Sequence, residues 1–155
     1  PLALSITNDT LHNAEHRKQI RQLLEQHRTE AAHLTLEVDA RYLQGCNDLA
    51  SLAQELRPLS VQVGLQHFGR QLSLIGELAL IGLSYLKIES SFIRDLDTES
   101  DKHLYLEALV RTAQRIDLLL IAEQVQSQSE VSALKQLGIE AMQGRALAEP
   151  GEWRD

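Results

Sequence analysis

Val61–Phe92 reads VQVGLQHFGRQLSLIGELALIGLSYLKIESSF and contains a full strand–helix–strand unit. Val61-Gln62-Val63-Gly64-Leu65 predicts a strand, rich in branched apolar residues. A helix is expected around Leu72 to Ile81, with Gly82 placed to end it. Tyr85-Leu86-Lys87-Ile88 predicts the next strand. Two strands joined through a helix run parallel, and a right-handed crossover sets them side by side.

The same alternation extends in both directions. Upstream, Leu2-Ala3-Leu4-Ser5-Ile6 is a short apolar run of strand type. Asn13 is positioned to cap a helix through about Arg28, with Ile20, Leu23 and Leu24 on its inner face. Leu34-Thr35-Leu36-Glu37-Val38 predicts a second strand. Asn47 opens a helix carrying Leu49, Leu52, Ala53 and Leu56, which stops before Pro58. Downstream, a helix from about Ser100 to Asp117 carries Leu104, Ala108, Leu109, Ala113 and Ile116 as its apolar stripe. Leu118 to Ala122 reads as a strand buried on both faces. Ser127 and Glu130 have capping-box spacing, Val131, Leu134 and Leu137 continue that helix, and Gly138 ends it. A last short strand is expected near Ala141-Met142-Gln143.

Six strands with short connections imply an α/β fold with a parallel sheet. A complete eight-stranded α/β barrel takes about 250 residues. A chain of 155 residues is therefore either a small open domain or a large part of a barrel. The residues at the strand ends are polar: Ser5, Glu37, Gln66 with His67, Lys87 with Glu89, Glu123 and Gln143. In parallel α/β folds such ends gather on one rim, where sites are built. Strands must also end in something polar as they emerge into loops, but one ammonium and two carboxylates at Lys87, Glu89 and Glu123 exceed that need.

Composition narrows the class. A length of 155 residues suits one domain, and 43% apolar residues can bury a core. A net charge of −7 argues against a nucleic-acid surface. The single cysteine, Cys46, cannot form an internal disulfide, which fits a reducing compartment, and it reads as a packed small residue. No apolar run reaches the roughly 18 residues of a membrane span. No signal peptide is visible, and a start at Pro1 rather than Met suggests a piece of something longer.

Several linked motifs, in order, resemble the EAL-domain family, the cyclic-di-GMP phosphodiesterases. Gln66-His67-Phe68-Gly69 stands where that family has Asp-Asp-Phe-Gly, and Lys87-Ile88-Glu89 where it has Lys-Ile-Asp. Leu4-Ser5-Ile6-Thr7 is similar to its Val-Asn-Leu-Ser strand, and Leu36-Glu37-Val38 to its Leu-Glu-Ile-Thr-Glu strand. Leu120-Ile121-Ala122-Glu123-Gln124-Val125-Gln126 resembles Ile-Ala-Glu-Gly-Val-Glu. Gln143-Gly144-Arg145, then Pro150, resembles the closing Gln-Gly segment with its proline. Within the family the text around Tyr85–Glu89, Glu99–Lys102 and Ile121–Glu123 is most similar to LapD-type receptors, degenerate members that bind cyclic-di-GMP without cleaving it.

The resemblance implies a fold and a site. The fold is an EAL-type (β/α)8 TIM-like barrel, of which residues 1–155 would be the C-terminal portion of one degenerate domain, with about six strand–helix units. Glu37 and Glu123 match carboxylates of the metal cluster, and Lys87 matches the lysine near the attacking water. Glu89 is one methylene longer than the family's aspartate. Gln143 and Pro150 complete the expected ligand-binding set. Four positions depart from the pattern: Ser5 replaces a metal-binding asparagine, Gln66 and His67 replace paired aspartates, and Gln126 replaces a glutamate. Two-metal hydrolysis needs hard oxygen ligands for ions about 3.5–4 Å apart. A neutral glutamine is a poorer ligand, and imidazole suits zinc better than magnesium. Loss of Mg²⁺ or Mn²⁺, and of catalysis, is therefore expected, with no cofactor.

The expected function is a catalytically inactive cyclic-di-GMP receptor or regulator in bacterial signalling, of the kind that controls biofilm or adhesion. The alternatives are a protein-interaction module that has lost the nucleotide, and an active phosphodiesterase. Expected partners are cyclic-di-GMP in the intact domain, signalling proteins, and a second copy of the chain, because an open barrel leaves two strand edges unprotected. Localisation is expected to be cytoplasmic, with any membrane link through segments outside this chain. His12 and His16 have metal-pair spacing on one predicted helix, but no third ligand is evident, so an exposed helix face is the expectation. Gly64, Gly69 and Gly76 make no phosphate-loop pattern, and Trp153 is expected to pack or cap.

Overall fold

A computed structural model describes residues 2–70 and 72–148. Pro150 and Trp153, both singled out above, lie outside the described residues. Parallel strands and helices alternate as the sequence predicts: β1 (Leu2–Ser5), α1 (Asn8–His12), α2 (Ala14–Gln26), α3 (Arg28–Ala31), β2 (Leu34–Asp39), α4 (Asn47–Leu56), β3 (Gln62–Phe68), α5 (Ile75–Ile81), β4 (Tyr85–Ile88), α6 (Ser100–Arg115), β5 (Leu119–Ala122), α7 (Gln128–Gln136) and β6 (Ala141–Met142). The six strands follow one another in the sheet in chain order. That order is the outcome of repeated strand–helix–strand crossovers between neighbours. The chain divides into two compact units, Pro1–Leu86 and Lys87–Asp155.

In the first unit, β1, β2 and β3 are parallel, with Ser5 beside Glu37 and Asp39 beside Gln66. The core combines strand residues Leu36, Val38, Val63, Leu65 and Phe68 with helix residues Leu11, Leu49, Leu52 and Leu56, all buried. Asn13 does more than cap one helix. Its backbone N–H donates to the Asp9 carbonyl at the end of α1, while its side-chain Oδ1 accepts from the N–H groups of Glu15 and His16 at the start of α2. The helix expected from Asn13 to Arg28 therefore ends at Gln26, and a separate α1 precedes it. His12 and His16 fall on different helices, and each meets an aspartate: His12 meets Asp48, and His16 meets Asp9 at 3.2 Å.

Only Leu24 of the proposed inner face of α2 is buried; Leu23 is 58% exposed. Helix α4 ends at Leu56, and a 3₁₀ turn carries the chain through Pro58. Gly82 ends α5 in the left-handed conformation, as expected. Strand β3 runs three residues further than the sequence indicated, so Gln66 and His67 lie within it.

In the second unit, β5 and β6 are parallel, with Ala122 beside Met142. The buried face of α6 is Leu106, Leu109, Val110 and Ala113. Of the predicted stripe, Leu109 and Ala113 are buried, while Leu104 is 64% exposed and Ala108 is also exposed. Strand β5 is not buried on both faces either: Leu120 and Ala122 point inward, while Leu119 is 52% exposed. A continuous apolar run does not reveal its own phase, so burial there had to come from packing. The capping box at Ser127 and Glu130 is present in both directions. Among the described residues, no helix is long and apolar enough to cross a membrane.

Candidate functional site

Each unit carries polar residues at the C-terminal ends of its strands. In the first unit they form, with Arg41 and Tyr85, three side-chain groups. Ser5 Oγ donates to Gln66 Oε1 at 3.3 Å. The Tyr85 hydroxyl donates to Glu37 Oε1 at 2.6 Å. Asp39 accepts from Arg41 Nη2 at Oδ2 (2.6 Å) and from Arg41 Nε at Oδ1 (3.0 Å), and His67 Nδ1 lies 3.1 Å from the same Oδ2. Burial acts to raise the Asp39 carboxyl, but the hydrogen bonds from Arg41 and the charges of His67 and Arg41 outweigh it and hold it below its ordinary value.

Local structure explains why these residues meet. Glu37 is 4% exposed and sits in register with Gly64 on the neighbouring strand. A Cβ on Gly64 would lie 2.5 Å from the Tyr85 ring. The missing side chain lets that ring lie across β3 and reach Glu37 on β2. The backbone of His67 has φ of 54°, in the left-handed region. Histidine is among the non-glycine residues enriched there, so His67 takes this bend at modest cost. Phe68 next to it is buried and fixes the strand end.

In the second unit the carboxylate and the amide come from neighbouring strand ends. Glu123 follows β5 and is buried; Gln143 follows β6 and donates Nε2–H to Glu123 Oε1 at 3.4 Å. The backbone fixes that pair: the Gln143 N–H donates to the Ala122 carbonyl at 2.9 Å, and the Val125 N–H donates to the Gln143 carbonyl at 3.1 Å. Gly144 makes this approach possible, because a Cβ there would lie 2.3 Å from the Val125 backbone nitrogen and oxygen. Gln126 contributes its main chain, donating N–H to Glu130 Oε2 at 2.7 Å. Lys87 belongs to β4, and Glu89 follows it with one carboxylate oxygen buried.

The sequence reading missed Tyr85, Asp39 and Arg41. Gly64 was the available signal, since a glycine inside a strand often marks a close approach. Asp39 was hidden because β2 was expected to end one residue earlier. Cys46 is buried, as expected; burial first, then the charge and hydrogen bond of Glu77, push its thiol up to about 11. It is therefore an inert packed thiol at neutral pH.

The model of the EAL domain family matches residues 1–150. The probable cyclic di-GMP phosphodiesterase PdeN of Escherichia coli K12 is 27% identical over 147 residues, covering 95% of this chain and 28% of that protein. The cyclic di-GMP phosphodiesterase PdeR of the same organism is 30% identical over 132 residues, covering 84% and 20%. Among solved structures, the MucR phosphodiesterase of Pseudomonas aeruginosa in complex with c-di-GMP superposes with a TM-score of 0.83 at 26% identity, over 96% of this chain and 60% of that one. Vibrio cholerae LapD bound to c-di-GMP gives 0.85 at 24% identity, over 93% and 36%, a likeness of fold. The chain spans little more than a quarter, at most, of those curated relatives. With the family's model matched over residues 1–150 and MucR superposing over 96% of the chain, this protein belongs to the EAL-domain family.

Proposed function

We propose that the protein carrying this chain is a catalytically silent EAL domain that serves as a cyclic-di-GMP receptor or regulator, passing its signal through protein contacts. The observation that carries this reading is the state of the first unit's strand ends. Where the family's pattern has paired aspartates, this chain has Gln66 and His67, engaged with Ser5 and Asp39. Asp39 is already neutralised by Arg41, and Glu37 takes a proton donor from Tyr85. A neutral amide, a hydroxyl and an imidazole do not fit a pair of Mg²⁺ or Mn²⁺ ions, which call for hard anionic oxygens. Lys87, Glu89, Glu123 and Gln143 keep the chemistry for binding a nucleotide's phosphate and polar edges. MucR and LapD, both solved with c-di-GMP, favour a nucleotide ligand over a purely structural role.

Hydrolysis is the competing reading, favoured by curated relatives that are named phosphodiesterases. A turnover assay with Mg²⁺ and Mn²⁺ decides between them. No linear dinucleotide is expected; product that forms and then disappears in Glu123→Ala overturns the silent assignment. Calorimetry with cyclic-di-GMP separates receptor from interaction module, and absence of binding favours the latter. Self-association belongs to the same proposal: Leu2 and Leu4 on β1, the first strand in the sheet order, are both about half exposed. Sedimentation should give a dimer or larger species, and a stable monomer at tens of micromolar rejects it.

A further inference from the structure

We infer that the first unit carries a small-molecule site of its own, at the opposite end of β3 from Gln66 and His67, which takes an oxyanion attached to a short apolar body. The site is a recess of about 250 Å³. Drug-sized ligands occupy pockets of about 300–1,000 Å³, so this recess suits something smaller. Its floor is apolar: Ala53, Val61, Val63 and Ile81 are all buried. Its polar wall is made by Arg57, Ser60, Gln62 and Ser84.

Local structure sets the guanidinium there. Helix α4 ends at Leu56 with Arg57 as its cap, and the 3₁₀ turn through Pro58 leads to Ser60, which is left-handed at φ 58°. Helix α5 ends at Gly82, where a Cβ would lie 3.5 Å from Arg57 Nη2. The guanidinium therefore rests against the bare end of α5. Ser84 is already committed, its Oγ donating to the Val63 carbonyl at 3.0 Å. Gln62 Oε1 accepts from Thr35 Oγ1 at 3.5 Å, which leaves its amide N–H groups as donors.

The recess is thus rich in donors and poor in acceptors. The guanidinium groups of Arg17, Arg21, Arg41 and Arg111 each meet a carboxylate. The Arg57 side chain makes no hydrogen bond or ion pair among the described residues, and no described carboxylate lines the recess. A planar guanidinium suits the two oxygens of a carboxylate or phosphate, and the apolar floor suits a short hydrocarbon attached to it. Helices α4 and α5 both end here, and the partial negative charge of a helix C-terminus disfavours an anion. A full guanidinium charge within bonding reach outweighs it.

Isovalerate and isoamyl phosphate represent the two sources of such an oxyanion, and acetate lacks the apolar body. Ligand-observed saturation-transfer NMR follows each titration into the intact protein that carries this chain. At least one of the two branched probes should saturate, with acetate about tenfold weaker or more. Arg57→Gln should weaken the branched probe about tenfold while melting with the parent. Gln62 is exposed, and Gln62→Glu, which sets an anion on the wall, should weaken it about threefold or more. That second variant answers the question should Arg57→Gln fail to fold. The inference is overturned if neither branched probe saturates, if acetate binds as well as they do, or if the variants bind as tightly as the parent.

Discussion

The strand ends of the two units are held together by different kinds of bond. In residues 1–86, side chains do the work: Ser5 with Gln66, Tyr85 with Glu37, and Arg41 and His67 with Asp39. In residues 87–155, the main chain does most of it, through Gln143 to Ala122, Val125 to Gln143, and the two N–H groups that Glu130 accepts. Side-chain pairs can be exchanged for other pairs without moving the backbone. Main-chain pairs tolerate little change in the residues that shape them. On the proposed reading, Ser5, Gln66 and His67 lie in the first unit, among side-chain pairs, and Gln126 lies in the second, where it contributes its backbone N–H.

The two close-approach glycines test that contrast most directly. Gly144→Ala should be the most destabilising, by about 3 kcal/mol or more, because the new Cβ meets backbone atoms and the residue has φ of 151°. Gly64→Ala should cost about 1–3 kcal/mol, since a tyrosine ring can swing aside where a backbone cannot. Thermal melts of the two variants check the order, and a Gly64→Ala variant less stable than Gly144→Ala breaks the comparison.

Glu130→Ala comes next. It removes the acceptor for the Gln126 and Ser127 N–H groups and half of the capping box, at an expected cost of about 1–2 kcal/mol. Chemical denaturation measures it, and a loss under a few tenths of a kcal/mol would mean that water replaces the cap.

Asp39→Asn should have the smallest effect, about 1 kcal/mol at neutral pH, because Arg41 is partly exposed and its attraction is screened. Its pH dependence identifies it. The folded carboxyl is held below its ordinary value of 3.8, so its stabilisation is fully present above that pH and is lost as pH falls through the lower folded value. Parent and Asp39→Asn melts should therefore differ at pH 7 and converge well below pH 3.8. A difference that persists in strong acid would assign the loss to packing.

The element types, their order and most caps were legible in the sequence, because each is set within a few residues. Strand β4 falls where Tyr85–Ile88 predicts it, Gly82 and Gly138 take the left-handed conformation after α5 and α7, and the Ser127–Glu130 box forms. Asn13 was recognised as a cap, but its second role in ending α1 was not. The candidate residues Ser5, Lys87, Glu89, Glu123 and Gln143 stand at or next to strand ends, as expected, whereas Glu37 lies inside β2, which runs on to Asp39. What each strand-end side chain bonds to was not legible. Leu104, Leu119 and Leu23 show the same limit in the apolar set, for periodicity says that a face exists but not which way it turns.

Sequence alone determined the parallel α/β alternation, because helical and strand periods and their terminators act locally. It also fixed the chemistry available at Gln66 and His67, because a glutamine or a histidine cannot supply a carboxylate wherever it sits. Tertiary structure decided the partners. Glu37 and Tyr85 are 48 residues apart and Ser5 and Gln66 are 61 apart, and they meet only through strand register and the space left at Gly64. Contacts of that kind depend on which strands lie side by side and how far each side chain reaches, and no local pattern encodes either.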